Sequence, residues 1–359
     1  MNLSDYKKFD WVLLGLVVIL ACISLVTLYS INKTYFSRQT VWYIISFLVI
    51  VLGSQVKWGW LITQDWFRHG FYWSSILLLT IPFLQPGLVR GTESWINLGF
   101  VNFQPSELIK ISLIILLAGF FSRKYLAAWQ SKNIFVSFFY TIIPVGIIAV
   151  QPDLGSAIVV MGIWIGFILM SGINKKRFWV GVLVVFIILV IMWTSFLKPY
   201  QKERILGFLS PEADPLGVNY NVTQSKIAIG SAGFWGKGFR GGTQVQFDFL
   251  PEPHTDFLFA SFVEEWGVFG GLVLVLTYLG LIFRMTIVGL RLRRNDLKFV
   301  VLGMGLVFLI HFFINIGSNL GLVPVIGISL PFVSYGGSNL LISSLALAII
   351  ERNKIESSY

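Results

Sequence analysis

Long apolar runs separated by short polar segments dominate this chain of 359 residues. They fall at 11–31, 41–56, 71–85, 108–121, 134–150, 156–171, 178–197, 257–283, 299–317 and 336–350. About 20 apolar residues cross a bilayer as a helix, and the two short runs, 41–56 and 336–350, can borrow flanking residues or tilt. The pattern predicts an all-α polytopic membrane protein with about ten transmembrane helices, in which residues 1–359 form a single membrane domain.

The longest polar interruption is the loop 198–256, between the seventh and eighth predicted spans. It holds six cationic residues, Lys198, Lys202, Arg204, Lys226, Lys237 and Arg240. The stretch QSKIAIG at 224–230 is typical of a short amphipathic helix that ends at a glycine. A long loop that is not of low complexity and carries both signs of charge usually serves a function.

Lysine and arginine are distributed unevenly between the two sets of connecting segments. With the N-terminus inside, the inner segments carry 17 of them, whereas the short outer loops carry only Lys33, Arg38 and Arg90. Because cytoplasmic loops are enriched in basic residues, this bias predicts cytoplasmic N- and C-termini. The loop 198–256 is then extracytoplasmic, and 11 of the 17 acidic residues lie on or near that outer side.

Composition excludes several classes of function. The chain is 56% hydrophobic. Its net charge of +10 comes from Lys and Arg in the segments that connect the predicted spans, so it does not indicate nucleic-acid binding. The single Cys22 lies in the first span, which leaves no intrachain disulfide. The motif GKGFRG at 236–241 matches a dinucleotide-binding pattern, but it follows no predicted strand. Its glycines are interpreted as backbone turns, and no nucleotide or organic cofactor is expected.

Five carboxylates crowd the segment 242–267, which leads into the eighth span: Asp248, Glu252, Asp256, Glu264 and Glu265. An ionisable residue at the edge of hydrocarbon is a functional hypothesis by default. Pro253 suits the first position of a helix, which would place Asp256 in the first helical turn. The local pattern leaves two interpretations of Asp256 open: a residue that complements the helix dipole, or a functional carboxylate.

Two further polar motifs lie at the predicted outer mouth. Pro105 is expected to open the fourth span, and Glu107 and Lys110 then share one helix face. A lone ammonium group within a span requires a partner, which predicts a pair between these two side chains. Asp153 lies in QPDLGS, a tight break between two spans, where a bare turn would not require a carboxylate.

The third polar motif interrupts the most apolar part of the chain. The 52 residues from 299 to 350 include no formally charged side chain, yet the polar stretch 315–339 breaks the run with Pro324, Pro331 and several glycines and asparagines. Irregular backbone at membrane depth must be buried in protein or line a cavity. His311, in the middle of the ninth span, is interpreted as a core histidine with satisfied hydrogen bonds.

Six motifs in order resemble the SEDS family of shape, elongation, division and sporulation proteins. They are FQPSE (103–107), QPDLGS (151–156), QSKIAIGSAG (224–233), GKG…GTQ (236–244), FLPEPHTDFLFA (249–260) and PVIGISLPFVSYGGSN (324–339). The resemblance covers nearly the whole chain and is stronger to the RodA elongation branch than to the FtsW division branch. It implies a ten-helix fold and a peptidoglycan glycosyltransferase that polymerises lipid II at the outer face of the bacterial cytoplasmic membrane during elongation and shape maintenance.

The resemblance also implies roles for individual residues. Asp256 would be the catalytic aspartate, Glu107 and Lys110 would form a salt bridge in the cavity, and Asp153 would be another cavity carboxylate. Further candidates for substrate or cavity contacts are Gln104, Arg204, Gln224, Lys226, His254, Thr255, Ser334 and Tyr335. Where relatives often carry an arginine this chain has Ser94, so Arg90 is the candidate replacement for a phosphate contact.

The implied reaction joins the 4-hydroxyl of one lipid-linked sugar to the anomeric carbon of another. A carboxylate near that hydroxyl is the expected general base. The departing pyrophosphate requires cations, which Lys110, Arg204, Lys226 or a divalent ion (Mg²⁺ or Mn²⁺, with unknown ligands) would supply. Inversion at an α-linked phosphate requires no covalent enzyme intermediate.

A lipid II flippase or transporter is the alternative, because many spans, broken helices and intramembrane charges also mark transporters. The polar motifs crowd the outer mouth, which favours the polymerase, since alternating access requires a site reachable from both faces.

A class B penicillin-binding protein is the expected partner within the lipid bilayer. No S-x-x-K, S-D-N or K-T-G triplet lies wholly outside the predicted spans, so cross-linking of the strands is expected to require another protein. The eighth and ninth spans are the expected dock, because their glycines would let a foreign helix approach closely. These glycines are Gly270, Gly271, Gly280, Gly289, Gly303 and Gly305.

Overall fold

The computed structural model describes residues 9–84, 94–97, 99, 102–123, 131–172 and 219–357, with scattered single positions between 179 and 208. The predicted seventh span and the first part of the loop after it fall largely outside the described residues. Arg90 and Arg204 lie outside them as well.

Helices form almost all of the described chain. They are α1 Trp11–Ile31, α2 Lys33–Gly53, α3 Trp58–Leu61, α4 Asp65–Thr80, α5 Pro105–Arg123, α6 Ser131–Val150, α7 Leu154–Met170, α8 Tyr220–Ser231, α9 Thr243–Gln246, α10 Leu258–Arg291, α11 Asn295–Leu320 and α12 Gly337–Ser357. A 3₁₀ turn covers Ile81–Leu84. Two short antiparallel strands, β1 Ile96–Asn97 and β2 Asn102–Phe103, pair before α5 with Ile96 opposite Phe103.

The predicted all-α polytopic membrane fold is confirmed. Six described helices are long and apolar enough to cross a membrane, namely α1, α2, α5, α6, α10 and α11. The two short predicted runs are extended by flanking residues, since α2 begins at Lys33 and α12 continues to Ser357. As the sequence predicts, α5 begins at Pro105.

Helix α5 lies at the centre of the bundle. It packs against α4, α7 and α11, and almost every side chain from Pro105 to Phe121 is buried. A helix with apolar residues on all its faces is stable where other helices surround it. Glu107 and Lys110 are therefore buried within the protein rather than placed at its surface.

Helix α10 is interrupted at Gly267, whose φ of 73° is not helical. The amide of Lys237 donates to the carbonyl oxygen of Glu264 over 3.0 Å. The amide of Gly238 donates to that of Glu265 over the same distance. The preceding loop thus replaces helical hydrogen bonds that would otherwise be lost at the break. The prediction that the GKGFRG glycines serve as backbone turns agrees with this arrangement.

Most glycines of α10 and α11 are buried inside the protein. A Cβ on Gly303 would lie 2.8 Å from the ring of Phe167 and 2.9 Å from Ile114. A Cβ on Gly289 would lie 3.0 Å from Leu302. The prediction of a docking face is therefore wrong for Gly289 and Gly303, which accommodate other parts of the same chain. For the other glycines of the set it stays a prediction.

Candidate active site

Asp256 lies in the turn ahead of α10, and its side chain is half-buried. The helix begins at Leu258 rather than at Pro253, so the prediction that Asp256 lies in the first helical turn is wrong. The carbonyl oxygen of Glu252 accepts a hydrogen bond from the amide of Thr255 over 3.2 Å, which closes a separate turn. Asp256 therefore lies in this turn and outside helix α10.

Two asparagines of α11 hold the main chain of Asp256. Nδ2 of Asn315 donates to the carbonyl oxygen of Asp256 over 3.1 Å, and Nδ2 of Asn319 donates to it over 2.8 Å. Both asparagine side chains are buried. Both belong to the polar stretch 315–339 of the sequence, where neither was named as a site residue, and their spacing of one helical turn places them on one face.

The turn is also joined to the irregular segment between α11 and α12. Oγ of Ser334 donates to the carbonyl oxygen of Thr255 over 2.7 Å and accepts from the amide of Leu330 over 2.9 Å. The amide of Tyr335 donates to the carbonyl oxygen of His254 over 2.9 Å. Four predicted site residues, His254, Thr255, Ser334 and Tyr335, are thus brought together, and their contacts fix the backbone beside Asp256.

An aromatic cluster surrounds the imidazole of His254. Tyr35 of α2 stacks on this ring with centroids 4.1 Å apart, and Tyr335 meets it edge-on with centroids 5.7 Å apart. Nε2 of His254 is 3.6 Å from Oε2 of Glu252. No motif pointed to Tyr35, because it belongs to a distant helix that only folding brings close to this turn.

Glu107 and Lys110 form a buried ion pair. Nζ of Lys110 lies 2.8 Å from Oε1 of Glu107, and Nδ2 of Asn339 donates to Oε2 of Glu107 over 3.2 Å. Nε2 of His311 lies 3.1 Å from Nζ of Lys110, while its Nδ1 lies 2.8 Å from the carbonyl oxygen of Ser329. A neutral imidazole satisfies both contacts by donating from Nδ1 and accepting at Nε2. His311 is therefore a core histidine with satisfied hydrogen bonds, as interpreted from the sequence.

A pocket between α5, α11 and α12 borders this ion pair. Its polar side is formed by Glu107, Lys110, His311 and Asn339. The remaining wall is mainly apolar and includes Ile111, Ile114, Met304, Val307, Phe308, Ile342 and Ala346. Apolar walls with a few convergent polar groups are typical of ligand sites.

Gln104 and Asp153 are also brought together. Nε2 of Gln104 donates to Oδ2 of Asp153 over 3.0 Å. The carboxylate also accepts from the amide of Ser156 over 3.0 Å and from its hydroxyl over 2.7 Å. Asp153 is the N-cap of α7, which explains a carboxylate at this break and gives it a structural role.

Helix α8 carries Gln224, which is half-buried, and Lys226, which is exposed. The aliphatic part of Lys226 passes directly over Gly321, where a Cβ would collide with it. The helix is longer than its motif, and Gly230 lies within it. The left-handed glycine after its end is Gly233, with φ of 65°.

The other loop carboxylates are of two kinds. Asp248 and Glu252 are exposed. Glu264 is fully buried and accepts from Nζ of Lys237 over 2.7 Å. Glu265 is buried as well and accepts from the amide of Arg240 over 3.2 Å. The two buried carboxylates thus attach the loop to α10 at its break.

The described residues contain no cluster of three or more His, Cys, Asp or Glu side chains that could hold a divalent cation. Asp153 and Glu107 are already engaged by Gln104, Ser156, Lys110 and Asn339. Magnesium ions are commonly held by one or two carboxylates together with substrate phosphates, so an ion here would need ligands from the substrate.

Proteins of known function show clear similarity to this chain. Peptidoglycan glycosyltransferase MrdB of Escherichia coli (strain K12) is 38% identical over 287 residues, which cover 80% of this chain and 77% of that protein. Probable peptidoglycan glycosyltransferase FtsW of Haemophilus influenzae is 34% identical over 362 residues, or 96% of this chain and 90% of that protein.

Solved structures and a family model agree with this similarity. A chain of a peptidoglycan synthase complex that coordinates polymerisation and crosslinking is 30% identical, with a TM-score of 0.83 over 97% of this chain and 98% of that one. RodA of Thermus thermophilus, at 24% identity and a TM-score of 0.72 over 98% of each chain, supports the fold alone. The model of the cell cycle proteins FtsW, RodA and SpoVE matches residues 6–359, and the chain therefore belongs to this family.

Proposed function

We propose that this chain is a peptidoglycan glycosyltransferase that polymerises lipid II in the elongation branch of its family. The enzyme class is that of the relatives MrdB and FtsW. The observation that carries the proposal is the placement of Asp256, a half-buried carboxylate in a turn held by hydrogen bonds from two other segments. A Cβ on Gly327 would lie 3.8 Å from Oδ2 of Asp256, so the carboxylate faces the irregular segment.

Asp256 is the proposed general base. Its carboxylate takes the proton of the acceptor 4-hydroxyl, whose oxygen forms the new bond to the anomeric carbon of the donor. The bond from that carbon to the pyrophosphate breaks, and undecaprenyl pyrophosphate leaves with inversion. Glu107 and Asp153 are poorer candidates for this step, because an ion pair occupies the first and helix capping occupies the second.

Cations are proposed to stabilise the departing pyrophosphate. Lys226 is exposed beside Gly321 and can reach an anionic group, whereas Lys110 is already neutralised by Glu107. Arg204 and Arg90 keep their proposed roles in phosphate contacts. A divalent ion shared between substrate phosphates and one carboxylate also belongs to the proposal, and no step above depends on it.

The proposed setting is the bacterial cytoplasmic membrane, with both termini on the cytoplasmic side and the site on the outer side. A class B penicillin-binding protein is the proposed partner, because a similar chain occurs in a complex that also performs crosslinking. We propose that it docks on α10 and α11 through exposed apolar side chains such as Leu276, Phe283 and Phe313.

The experiment uses the purified chain with this partner and fluorescent lipid II, scored for polymer. Asp256→Asn keeps the shape of the side chain but removes its basicity, so polymerisation should fall by about 10²-fold or more. Asp248→Asn, an exposed carboxylate of the same loop, serves as the matched control and should remain active. Near-normal polymer from Asp256→Asn would contradict the proposal. Lipid II translocation by vesicles that form no polymer would support the flippase instead.

A further inference from the structure

The side-chain amide of Asn319 replaces a backbone hydrogen bond at the start of α10. Its Oδ1 accepts from the amide of Ala260 over 3.1 Å, and its Nδ2 donates to the carbonyl oxygen of Asp256 over 2.8 Å. In a continuous α-helix the amide of Ala260 would donate to the carbonyl oxygen of Asp256 directly, because the two residues are four apart. The inserted amide therefore separates Asp256 from the helix and keeps it in the turn.

Asn315 provides the second donor to the same carbonyl oxygen. Its Nδ2 also donates to the carbonyl oxygen of Ile328 over 2.8 Å. A carbonyl oxygen has two lone pairs, so the two asparagines together satisfy the main-chain carbonyl oxygen of Asp256 completely. Asn315 thus couples the turn to the segment in which Gly327 faces the carboxylate.

Asn319 is itself held in place from several sides. Its main-chain carbonyl oxygen accepts from Oγ of Ser225 in α8 over 2.8 Å. Its Nδ2 also donates to the main-chain carbonyl oxygen of Asn315 over 2.8 Å. The side chain has no exposed surface. A buried amide that makes all its hydrogen bonds has one orientation. The side chain of Asn319 therefore holds the main chain of Asp256 in one position.

We propose that Asn319, supported by Asn315, is a positioning residue that determines where the carboxylate of Asp256 lies. This inference rests on the proposed function, in which Asp256 is the general base. Asn319 contacts the main chain of Asp256, because its Nδ2 donates to the carbonyl oxygen of that residue. Its loss is expected to move the base away from the acceptor hydroxyl, and such a shift lowers the rate of the chemical step more than it weakens substrate binding.

The first test compares steady-state polymerisation, per folded protein, by the purified complex and its variants. Asn319→Ala should lower kcat by about 10–100-fold, because a displacement on the order of 1 Å has effects of this size, while KM changes little. Asn319→Asp keeps an acceptor for Ala260 but loses the donor to Asp256, so it should lose kcat as well. Asn353→Ala is the control. Asn353 is fully buried near the C-terminal end of α12, and its side chain has no hydrogen-bond partner among the described residues.

The second test does not depend on activity. In a chain that carries Cys22→Ser, the variant Asp256→Cys offers one thiol at the proposed position of the base. Adding Asn319→Ala should change the rate of its reaction with a water-soluble thiol reagent by about threefold or more, whereas adding Asn353→Ala should leave the rate unchanged.

The outcomes separate the two hypotheses. Normal polymerisation by Asp256→Asn would remove the proposed base, yet the thiol reaction would still report whether Asn319 positions this side chain. An inactive Asp256→Asn, together with a kcat for Asn319→Ala within twofold of the wild type and an unchanged thiol rate, would overturn the positioning role alone. If Asn319→Ala does not fold, Asn315→Ala removes one of the two donors and is judged by the same criteria.

Discussion

Nζ of Lys110 lies 2.8 Å from Oε1 of Glu107, in an ion pair whose two side chains are almost completely buried. The pair lies at the centre of the bundle, because α5 is surrounded by other helices. Taking two charges out of water is costly, so such a pair is stable only when further hydrogen bonds satisfy its remaining atoms. Asn339 and His311 provide these contacts.

We predict that neutralising one member of this pair destabilises the protein strongly. Glu107→Gln leaves the ammonium group of Lys110 without its counter-charge, which should lower the free energy of unfolding by about 3–5 kcal/mol. Replacing both residues by apolar ones, as in Glu107→Leu with Lys110→Met, should cost less. Thermal and denaturant unfolding in detergent measure the effect.

An exposed ion pair provides the control. Arg123 and Asp65 are also 2.8 Å apart, but each is more than half exposed. Because solvent screens such pairs, Arg123→Gln should change the free energy of unfolding by only about 0–1 kcal/mol. Equal effects of Glu107→Gln and Arg123→Gln would contradict the importance of burial.

Gly327→Ala should lower both stability and activity. The φ of Gly327 is 72°, which an L side chain adopts only with strain of about 1–2 kcal/mol. The added methyl group would lie 3.8 Å from Oδ2 of Asp256, in van der Waals contact. We expect it to compete with the acceptor hydroxyl for the space beside the carboxylate. We expect kcat to fall by about tenfold.

Gly233→Ala is the matched control for this substitution. Gly233 has a φ of 65°, and a Cβ there would meet no atom within 4 Å. Both variants should therefore lose similar stability, measured as Tm, but Gly233→Ala should retain its kcat. Equal kcat values for the two variants would show that the space beside Asp256 does not matter for catalysis.

Interior and exposed positions of α10 and α11 should respond differently to substitution. Gly303→Leu would force a side chain between Phe167 and Ile114, and overpacking of this kind costs about 1–3 kcal/mol or more. It should lower Tm and the yield of folded protein. Leu276→Ala and Phe283→Ala remove exposed side chains and should leave Tm nearly unchanged while weakening co-purification with the penicillin-binding protein. Undiminished co-purification would place the partner on another face.

The stability that Asp10 provides should depend on pH. This residue caps α1, just before the first membrane helix, and it contacts Arg284 over 2.9 Å and Lys354 over 3.0 Å. Burial alone raises the pKa of Asp10, but the hydrogen bonds from Arg284, Lys354 and the amide of Leu13 outweigh it and hold the pKa below its ordinary value.

Since the pKa of Asp10 is lower in the folded state, its contribution is complete above the unfolded pKa and disappears as the pH falls through the folded one. Asp10→Asn should therefore lower Tm at pH 7. The difference in Tm between this variant and the wild type should shrink as the pH falls below about 4. A constant difference down to pH 3 would show that the cap, rather than the charge, provides the stability.

Local sequence patterns were sufficient to predict most of the described membrane helices, the start of α5 and one pair of charges. Apolar runs determine where helices cross the membrane, and the ring of Pro105 suits the first turn of a helix. Glu107 and Lys110 meet because residues three apart share a helix face. The six family motifs likewise depend only on the order of residues along the chain. All of these features involve neighbours in sequence.

Tertiary structure alone decided how Asp256 is held and which way the glycines face. Pro253 favours an earlier helix start, but the amide of Asn319 takes the place of the first backbone hydrogen bond. These partners are distant in the sequence, so their contact depends on how α10 and α11 pack. The same packing places Phe167 against Gly303. A glycine has no side chain to indicate whether its neighbour is this chain or a partner, and only the packed helices supply that information.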